Sequence, residues 1–120
     1  MNPDEINHEA LERLIYAVDM PLIEATKKRD IIKVKKLLEE GYLYIDFQDK
    51  LKATALFYAS KKGYSDIAKL LIVGGAKLDM VNIDGETPLH SASYYGHIEV
   101  VKQLIGAKAN VNLMGQPLFL

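Results

Sequence analysis

The chain contains no cysteine, and this absence excludes several kinds of chemistry together. Disulfide bonds, thiolate nucleophiles and cysteine metal sites all need a thiol. A reducing compartment permits such a composition, so the cytoplasm or the nucleus is the expected location. The sequence also has no run of about 20 consecutive apolar residues, the length that a membrane-spanning helix needs. We therefore expect no membrane span.

Other signals for targeting or for a second domain are missing as well. The first residues include Asp4, Glu5 and Glu9, whereas a secretory signal begins with basic residues and continues with apolar ones. A length of 120 residues suffices for one domain, and 49% hydrophobic with 26% charged residues is ordinary for a globular chain. These values predict one small soluble domain.

Residues that could bind a metal or a phosphate are few and scattered. The three histidines, His8, His90 and His97, stand far apart and do not show the spacing of metal ligands. No serine lies in a nucleophile elbow, and Gly74-Gly75 lacks the lysine and hydroxyl that follow a phosphate-binding loop. We therefore expect no metal, no cofactor and no small-molecule substrate.

Four aspartates are the candidates for a catalytic pair, because paired carboxylates can serve as general acid and base. Asp46, Asp49, Asp79 and Asp84 are spread over successive loops. Aspartate in loops commonly accepts hydrogen bonds from turn amides, and we expect that role here. The chain is thus predicted not to be an enzyme.

The net charge of -1 hides an uneven distribution along the chain. Residues 1–20 carry a net charge of -4, residues 21–62 carry +4, and residues 63–120 carry -1. The middle of the chain is therefore basic.

The most informative feature is an internal repeat with a period of thirty-three residues. The segment from Thr54 to Gly63 returns as the segment from Thr87 to Gly96, and the apolar residues that follow each segment return at the same spacing. A degenerate earlier copy is offset by 34 residues and begins near Met20. Units of this size bury their apolar faces by stacking on one another, so the chain should form an array.

Residues 82–101 resemble an ankyrin repeat. The resemblance lies in the turn Asp84-Gly85, the helix start Thr87-Pro88-Leu89-His90, the small Ala92 and the turn Gly96-His97. It covers residues 20–112 and implies an all-α fold: an ankyrin-repeat α-solenoid of helix-turn-helix units joined by β-hairpin-like loops. It also implies that His90 and His97 tie neighbouring loops or helix ends by hydrogen bonds.

We divide the single predicted domain, residues 1–120, into five segments. They are an N-terminal capping helix (1–19), repeat one (20–48), repeat two (49–81), repeat three (82–112) and a truncated C-terminal cap (113–120). Leu118, Phe119 and Leu120 are expected to fold back onto repeat three, because the ends of a solenoid need a cover.

The chain departs from the ankyrin pattern at several turns. Arg29, Lys52 and Lys108 stand where the pattern or a sister repeat has a turn glycine. The last helix of repeat three must then end without the usual glycine, or Gly106 must serve two residues early. Repeat two also has Phe57 at the motif histidine, so we expect it to be the weakest unit.

The resemblance implies a concave groove lined by the first helix of each repeat and by the hairpin tips. The family positions fall on twelve predicted groove residues: Lys27, Lys28, Lys61, Lys62, Tyr94 and Tyr95 on the helix side, and Lys50, Leu51, Val81, Ile83, Asp84 and Glu86 at the tips. The groove is thus basic in repeats one and two and aromatic and apolar in repeat three. We expect another protein as partner, one with an acidic segment followed by an apolar anchor.

Several alternatives remain open. Exposed lysine pairs also keep a solenoid soluble, and one tyrosine of the pair could pack beside Gly96. The domain could act as a structural spacer within a longer protein, and weak nucleic-acid binding through the lysines is disfavoured because arginine is almost absent. Tyr42, Leu43 and Tyr44 either add an apolar patch or pack under the first helix. The resemblance also makes Asn112 a candidate for asparaginyl hydroxylation.

Overall fold

The computed structural model describes residues 20–41 and 44–111. The predicted N-terminal capping helix, Tyr42, Leu43, Asn112 and the predicted C-terminal cap lie outside these ranges, so the expectations for them stay predictions. The division into five segments stays a prediction as well.

Six helices and no strand occur within the described ranges, which confirms the predicted all-α fold. Helix α1 covers residues 20–27 of the described chain. The others are α2 (Ile31–Glu40), α3 (Ala55–Lys62), α4 (Ser65–Val73), α5 (Pro88–Tyr94) and α6 (Ile98–Gly106). None of these helices has both the length and the hydropathy needed to cross a membrane.

Side-chain caps fix the starts of three helices. The Oγ1 atoms of Thr54 and Thr87 accept hydrogen bonds from backbone amides three residues ahead, at 3.1 Å in both cases. Asp30 caps α2 in the same way, through Oδ1 and the Lys33 amide. These bonds satisfy amides that have no partner inside the helix, so the start of each helix follows from its own sequence.

The turn positions keep one backbone conformation whether or not glycine is present. Gly63 and Gly96 have φ angles of 72° and 74°, and Arg29, Lys52 and Lys108 have 54°, 58° and 73°. A side chain in this left-handed region is strained, so the surrounding structure must hold these three residues there. Helix α6 runs through Gly106, and the chain turns at Lys108. The open alternative is thereby settled: Gly106 does not end the helix early.

The helices pack within a repeat and with the neighbouring repeat. Helix α3 packs against α4 and α5, and α6 packs against α5 and α4. Leu22, Leu56 and Leu89 line the first-helix side of the core, and all three are buried. Ala59 and Ala92, predicted to be small because the helices approach closely, are completely buried. The core is therefore a continuous layer through the stack rather than one centre.

Hydrogen bonds between repeats recur at equivalent positions. The Asp46 carboxylate accepts from the Lys77 amide at 2.8 Å, and the Asp79 carboxylate accepts from the Asn110 amide at 2.9 Å. Asp49 also accepts from turn amides, so three of the four aspartates have the expected role. The prediction is wrong for Asp84, whose carboxylate forms no hydrogen bond or ion pair with a described residue. Asn82, two residues earlier, organises that turn instead.

Candidate partner-binding groove

The six predicted helix-side residues lie at the C-terminal ends of the first helices and in the turns that follow. Lys61 and Lys62 form the last turn of α3, and Tyr94 and Tyr95 lie at the end of α5. These four residues and Lys28 are exposed, whereas Lys27 is half-buried. The positions are exposed because the interior side of each first helix is occupied by the small and apolar residues of the core.

The hairpin tips are exposed and tied to each other. Lys50, Leu51, Val81, Ile83 and Asp84 are exposed, and Leu51 and Ile83 are exposed by 57% and 61%. The Ile83 amide donates to the Leu51 carbonyl oxygen at 2.8 Å. The side-chain nitrogen Nε2 of Gln48 donates to the backbone carbonyl oxygens of Lys52 and Val81. One backbone bond and one side-chain bond thus join the tips of repeats two and three into one preformed row.

Asn82 shapes the hairpin tip of repeat three. Its Oδ1 accepts from the amides of Asp84 and Glu86 at 3.0 and 2.9 Å, and its Nδ2 donates to Glu86 Oε1 at 3.1 Å. The half-buried Glu86 carboxylate therefore already has a partner. Of the predicted groove residues, Glu86 has the clearest structural role.

Asp49 shapes the equivalent tip of repeat two with different chemistry. Its Oδ1 accepts from the amides of Leu51 and Ala53, at 2.9 and 3.0 Å, and its Oδ2 accepts from the hydroxyl of Tyr58. Burial of the phenol, followed by the hydrogen bond and the negative charge of Asp49, raises the pKa of Tyr58 well above its usual value. The phenol is protonated at neutral pH, as any tyrosine is, and the raised pKa keeps it a donor further into the alkaline range.

Tyr58 is the residue that the sequence did not point to. It is only 8% exposed, and the Lys27 ammonium lies 4.6 Å from the centre of its ring. A cation over an aromatic ring is attracted by the electron-rich face. No sequence signal marks this position, because the equivalent residues are Glu24 in repeat one and Ser91 in repeat three.

The tyrosine pair forms an exposed aromatic surface in repeat three. The rings of Tyr94 and Tyr95 are 5.0 Å apart and meet edge to face, and Tyr95 also stacks on His97 at 6.4 Å. Tyr94 is exposed by 77% and Tyr95 by 51%. The neighbouring rings hold Tyr95 in place, while both residues keep a large accessible area.

The two motif histidines behave differently from each other. His97 Nε2 donates to the Lys61 carbonyl oxygen at 2.9 Å and so joins repeat three to repeat two, as expected. The expected bond is not seen for His90, whose buried Nδ1 has no hydrogen-bond partner among the described residues. Within the described ranges, no group of three or more histidine or acidic side chains is placed to hold a metal ion.

Two shallow depressions on the second helices are lined by no predicted groove residue. One of about 360 Å³ lies between α2 and α4 and includes Leu38, Leu70 and Val73. Val73 and Ile32 are exposed by 79% and 81%, and neither belongs to the predicted groove. Substitutions at these two residues can therefore serve as controls for substitutions of exposed residues in the groove.

Comparison with known proteins identifies the repeat. A family model described as ankyrin repeats in three copies matches residues 5–82 and residues 22–115. Ankyrin repeats generally mediate interactions between proteins and are not catalytic.

Relatives share this segment within much longer chains. The inactive serine/threonine-protein kinase TEX14 of Bos taurus is 31% identical over 81% of this chain and 6% of its own length. Protein phosphatase 1 regulatory subunit 12A of Mus musculus is 30% identical over 97% of this chain and 12% of its own. A putative ankyrin repeat protein of fowlpox virus, FPV222, is 36% identical over 70% of this chain and 11% of its own. With the periodic turns, the helix pairs and these matches in agreement, the chain belongs to the ankyrin-repeat family.

Proposed function

We propose that the chain is a protein-binding module that holds an extended segment of a partner in its concave groove. The observation that carries this proposal is the exposed pair Tyr94 and Tyr95 at the end of α5, the helix that follows the hairpin tip of repeat three. Tyrosine supplies a large contact area with few rotatable bonds, which is why it is frequent at the centres of interfaces. An exposed pair held by neighbouring rings loses little further entropy on binding.

The charge of the groove supports a partner with acidic residues followed by an apolar anchor. Lys28, Lys50, Lys61 and Lys62 are exposed in repeats one and two, and Lys27 is half-buried beside them. Apolar Leu51 and Ile83 and the two tyrosines follow toward repeat three. A positive surface accelerates association with a negative segment, and apolar contacts then slow dissociation. The names of two relatives, a regulatory subunit and an inactive kinase, fit a role without catalysis.

Affinity capture from cell lysate, read by mass spectrometry, tests the proposal. The parent chain is compared with a variant carrying Tyr94→Ala and Tyr95→Ala. A variant with Ile32→Ala and Val73→Ala serves as the matched control, because it removes two exposed apolar side chains from the second helices. We expect one partner to be lost with the tyrosines and kept with the control. Identical captures from three folded chains would favour a structural spacer instead.

Charge reversal tests the acidic character of the partner thus captured. Replacing Lys27, Lys28, Lys61 and Lys62 with glutamate should slow association and flatten its salt dependence. The matched control reverses the same number of charges at Lys33, Lys35, Lys36 and Lys69, which are exposed on the second helices. If the two variants slow association equally, the effect comes from the net charge of the protein and not from the groove lysines. The acidic segment of the partner would then be removed from the proposal.

A further inference from the structure

We propose that Tyr58 is the positioning residue of the basic half of the groove, by which we mean the predicted groove lysines of repeats one and two. Its ring orients Lys27 of repeat one, and its hydroxyl orients the hairpin tip of repeat two. Tyr58 is nearly buried, so it acts through these two neighbours rather than by touching a partner. The relevance to binding rests on the proposed function, but the two contacts can be tested without any partner.

The ring contact distinguishes Lys27 from the other groove lysines. Its ammonium lies 4.6 Å above the Tyr58 ring centre, and it is half-buried. Lys28, Lys61 and Lys62 are exposed and form no aromatic or ionic contact with described residues. A free lysine has many rotamers, which must be restricted when it binds. Lys27 is restricted already, so it presents its charge to a partner at lower entropic cost.

The hydroxyl of Tyr58 stabilises the hairpin tip of repeat two, where repeat three uses a side-chain hydrogen bond between Asn82 and Glu86. In repeat three, Asn82 can donate through its amide, and Glu86 receives that bond at 3.1 Å. In repeat two the equivalent residues are Asp49 and Ala53, which cannot form this pair. Oδ1 of Asp49 is occupied by the Leu51 and Ala53 amides, and Tyr58 donates to Oδ2. Tyr58 thereby fixes the carboxylate that holds Leu51 at the tip.

Two substitutions at Tyr58 separate the two contacts. Tyr58→Phe keeps the ring and removes the hydroxyl, whereas Tyr58→Leu removes both. Phe57→Leu is the matched control, because Phe57 is a neighbouring buried ring that meets Tyr58 edge to face at 6.0 Å. No hydrogen bond or cation–π contact joins Phe57 to Lys27 or Asp49. Thermal unfolding of all three variants shows which of them fold.

Nuclear magnetic resonance of the free protein reads each contact. The ring should shift the Lys27 ε-methylene protons upfield of those of Lys61; we expect this shift to persist in Tyr58→Phe and to disappear in Tyr58→Leu. Hydrogen exchange of the Leu51 and Ala53 amides should become faster in both variants, on the order of tenfold for loss of one hydrogen bond to a charged group. Phe57→Leu should change neither. A Lys27 shift that survives in Tyr58→Leu, or unchanged exchange in Tyr58→Phe, would overturn the inference.

A binding measurement then connects the contacts to the groove. The probe is a fluorescent synthetic peptide of four glutamates followed by Phe-Leu. Tyr58→Leu and Lys27→Ala should each weaken its binding about two- to fivefold, the range of an exposed cation–π contact, and the double variant should be no weaker than the single ones. If the parent does not bind the peptide while both resonance readouts behave as expected, the acidic-partner proposal fails and the positioning stands. If the parent binds and Tyr58→Leu binds equally well, the positioning role fails.

Discussion

The imidazole of His97 fills the space that a side chain on Gly63 would need. A Cβ added to Gly63 would lie 2.7 Å from His97 Cγ, well inside van der Waals contact. The ring cannot turn away freely, because Nε2 is bonded to the Lys61 carbonyl oxygen at 2.9 Å. Gly96, at the equivalent turn of repeat three, has no atom of a described residue within 4 Å of its added Cβ, apart from its own chain neighbours. The same glycine of the motif is thus retained for two reasons at Gly63 and for one at Gly96.

Alanine at the two positions should separate backbone strain from the collision. The φ angles of Gly63 and Gly96 are 72° and 74°, so the strain should be the same, about 1–2 kcal/mol. We expect Gly96→Ala to lower the free energy of unfolding by this amount and Gly63→Ala to lower it further. Urea denaturation measures both. Adding His97→Ala should bring the cost of Gly63→Ala close to that of Gly96→Ala; a difference that survives would contradict the collision.

Glycine at the positions with strained basic residues should raise the free energy of unfolding at one site and leave it unchanged at another. The Lys52 side chain forms no hydrogen bond, ion pair or cation–π contact with a described residue, so Lys52→Gly should raise the free energy of unfolding by about 0.5–1 kcal/mol through relief of strain. The Arg29 guanidinium lies 4.8 Å from the Tyr64 ring centre, and its Nε lies 3.4 Å from Oδ2 of Asp66. These half-exposed contacts contribute about as much as the strain costs, so Arg29→Gly should bring no gain. A gain of the same size at both sites in thermal and urea unfolding would refute this account.

Removal of an inter-repeat hydrogen bond should cost more than removal of an exposed carboxylate. Asp46 is 5% exposed and accepts from the Lys77 amide. Asp46→Ala leaves that amide without its partner and should lower the free energy of unfolding by about 1–3 kcal/mol. Asp84→Ala is the control and should stay within about 0.5 kcal/mol of the parent. Asp46→Asn keeps an oxygen acceptor and should retain most of the stability; a full loss there would show that charge, not the bond, matters.

The raised pKa of Tyr58 predicts a specific loss of stability in alkali. The folded state keeps the phenol protonated, whereas tyrosine in the unfolded chain loses its proton above about pH 10. The stabilisation is therefore complete below pH 10 and declines as the pH rises, by at most about 1.4 kcal/mol per pH unit. The free energy of unfolding of the parent should fall toward that of Tyr58→Phe over this range. Because the two proteins differ only at residue 58, the difference isolates Tyr58, and a constant difference from pH 8 to 11 would contradict the prediction.

The sequence predicted the turns and helix starts because these depend on residues close together in the chain. Thr54 and Thr87 bond to amides three residues ahead, and Gly63 and Gly96 take the backbone angle that their position requires. The repeat period also places Arg29, Lys52 and Lys108 at turn-glycine positions, and all three have positive φ angles. Local geometry of this kind repeats with the period, so one clear copy identifies the others.

The sequence could not predict contacts that join unlike residues across repeats. The contact between Lys27 and Tyr58 spans two repeats, and the link between Asp49 and Tyr58 spans nine positions without a counterpart in repeat three. The sequence predicts Asp84 as a turn acceptor, but the side-chain oxygen of Asn82 accepts from both turn amides. Side-chain geometry, rather than residue type, decided these cases.

The bonds from Asp46 to Lys77 and from Asp79 to Asn110 span the same number of residues. Deleting residues 49–81 as a unit would therefore bring Asp46 into register with Asn110, and inserting a unit would create one more bond of the same kind. The hydrogen bond between two neighbouring repeats depends only on the interface between them and is independent of the number of repeats. Each added unit would lengthen the stack and bring its own hydrogen bond to the neighbouring unit, so such a chain can change its length, and with it the extent of the proposed groove, without any change in the bonds that join its units.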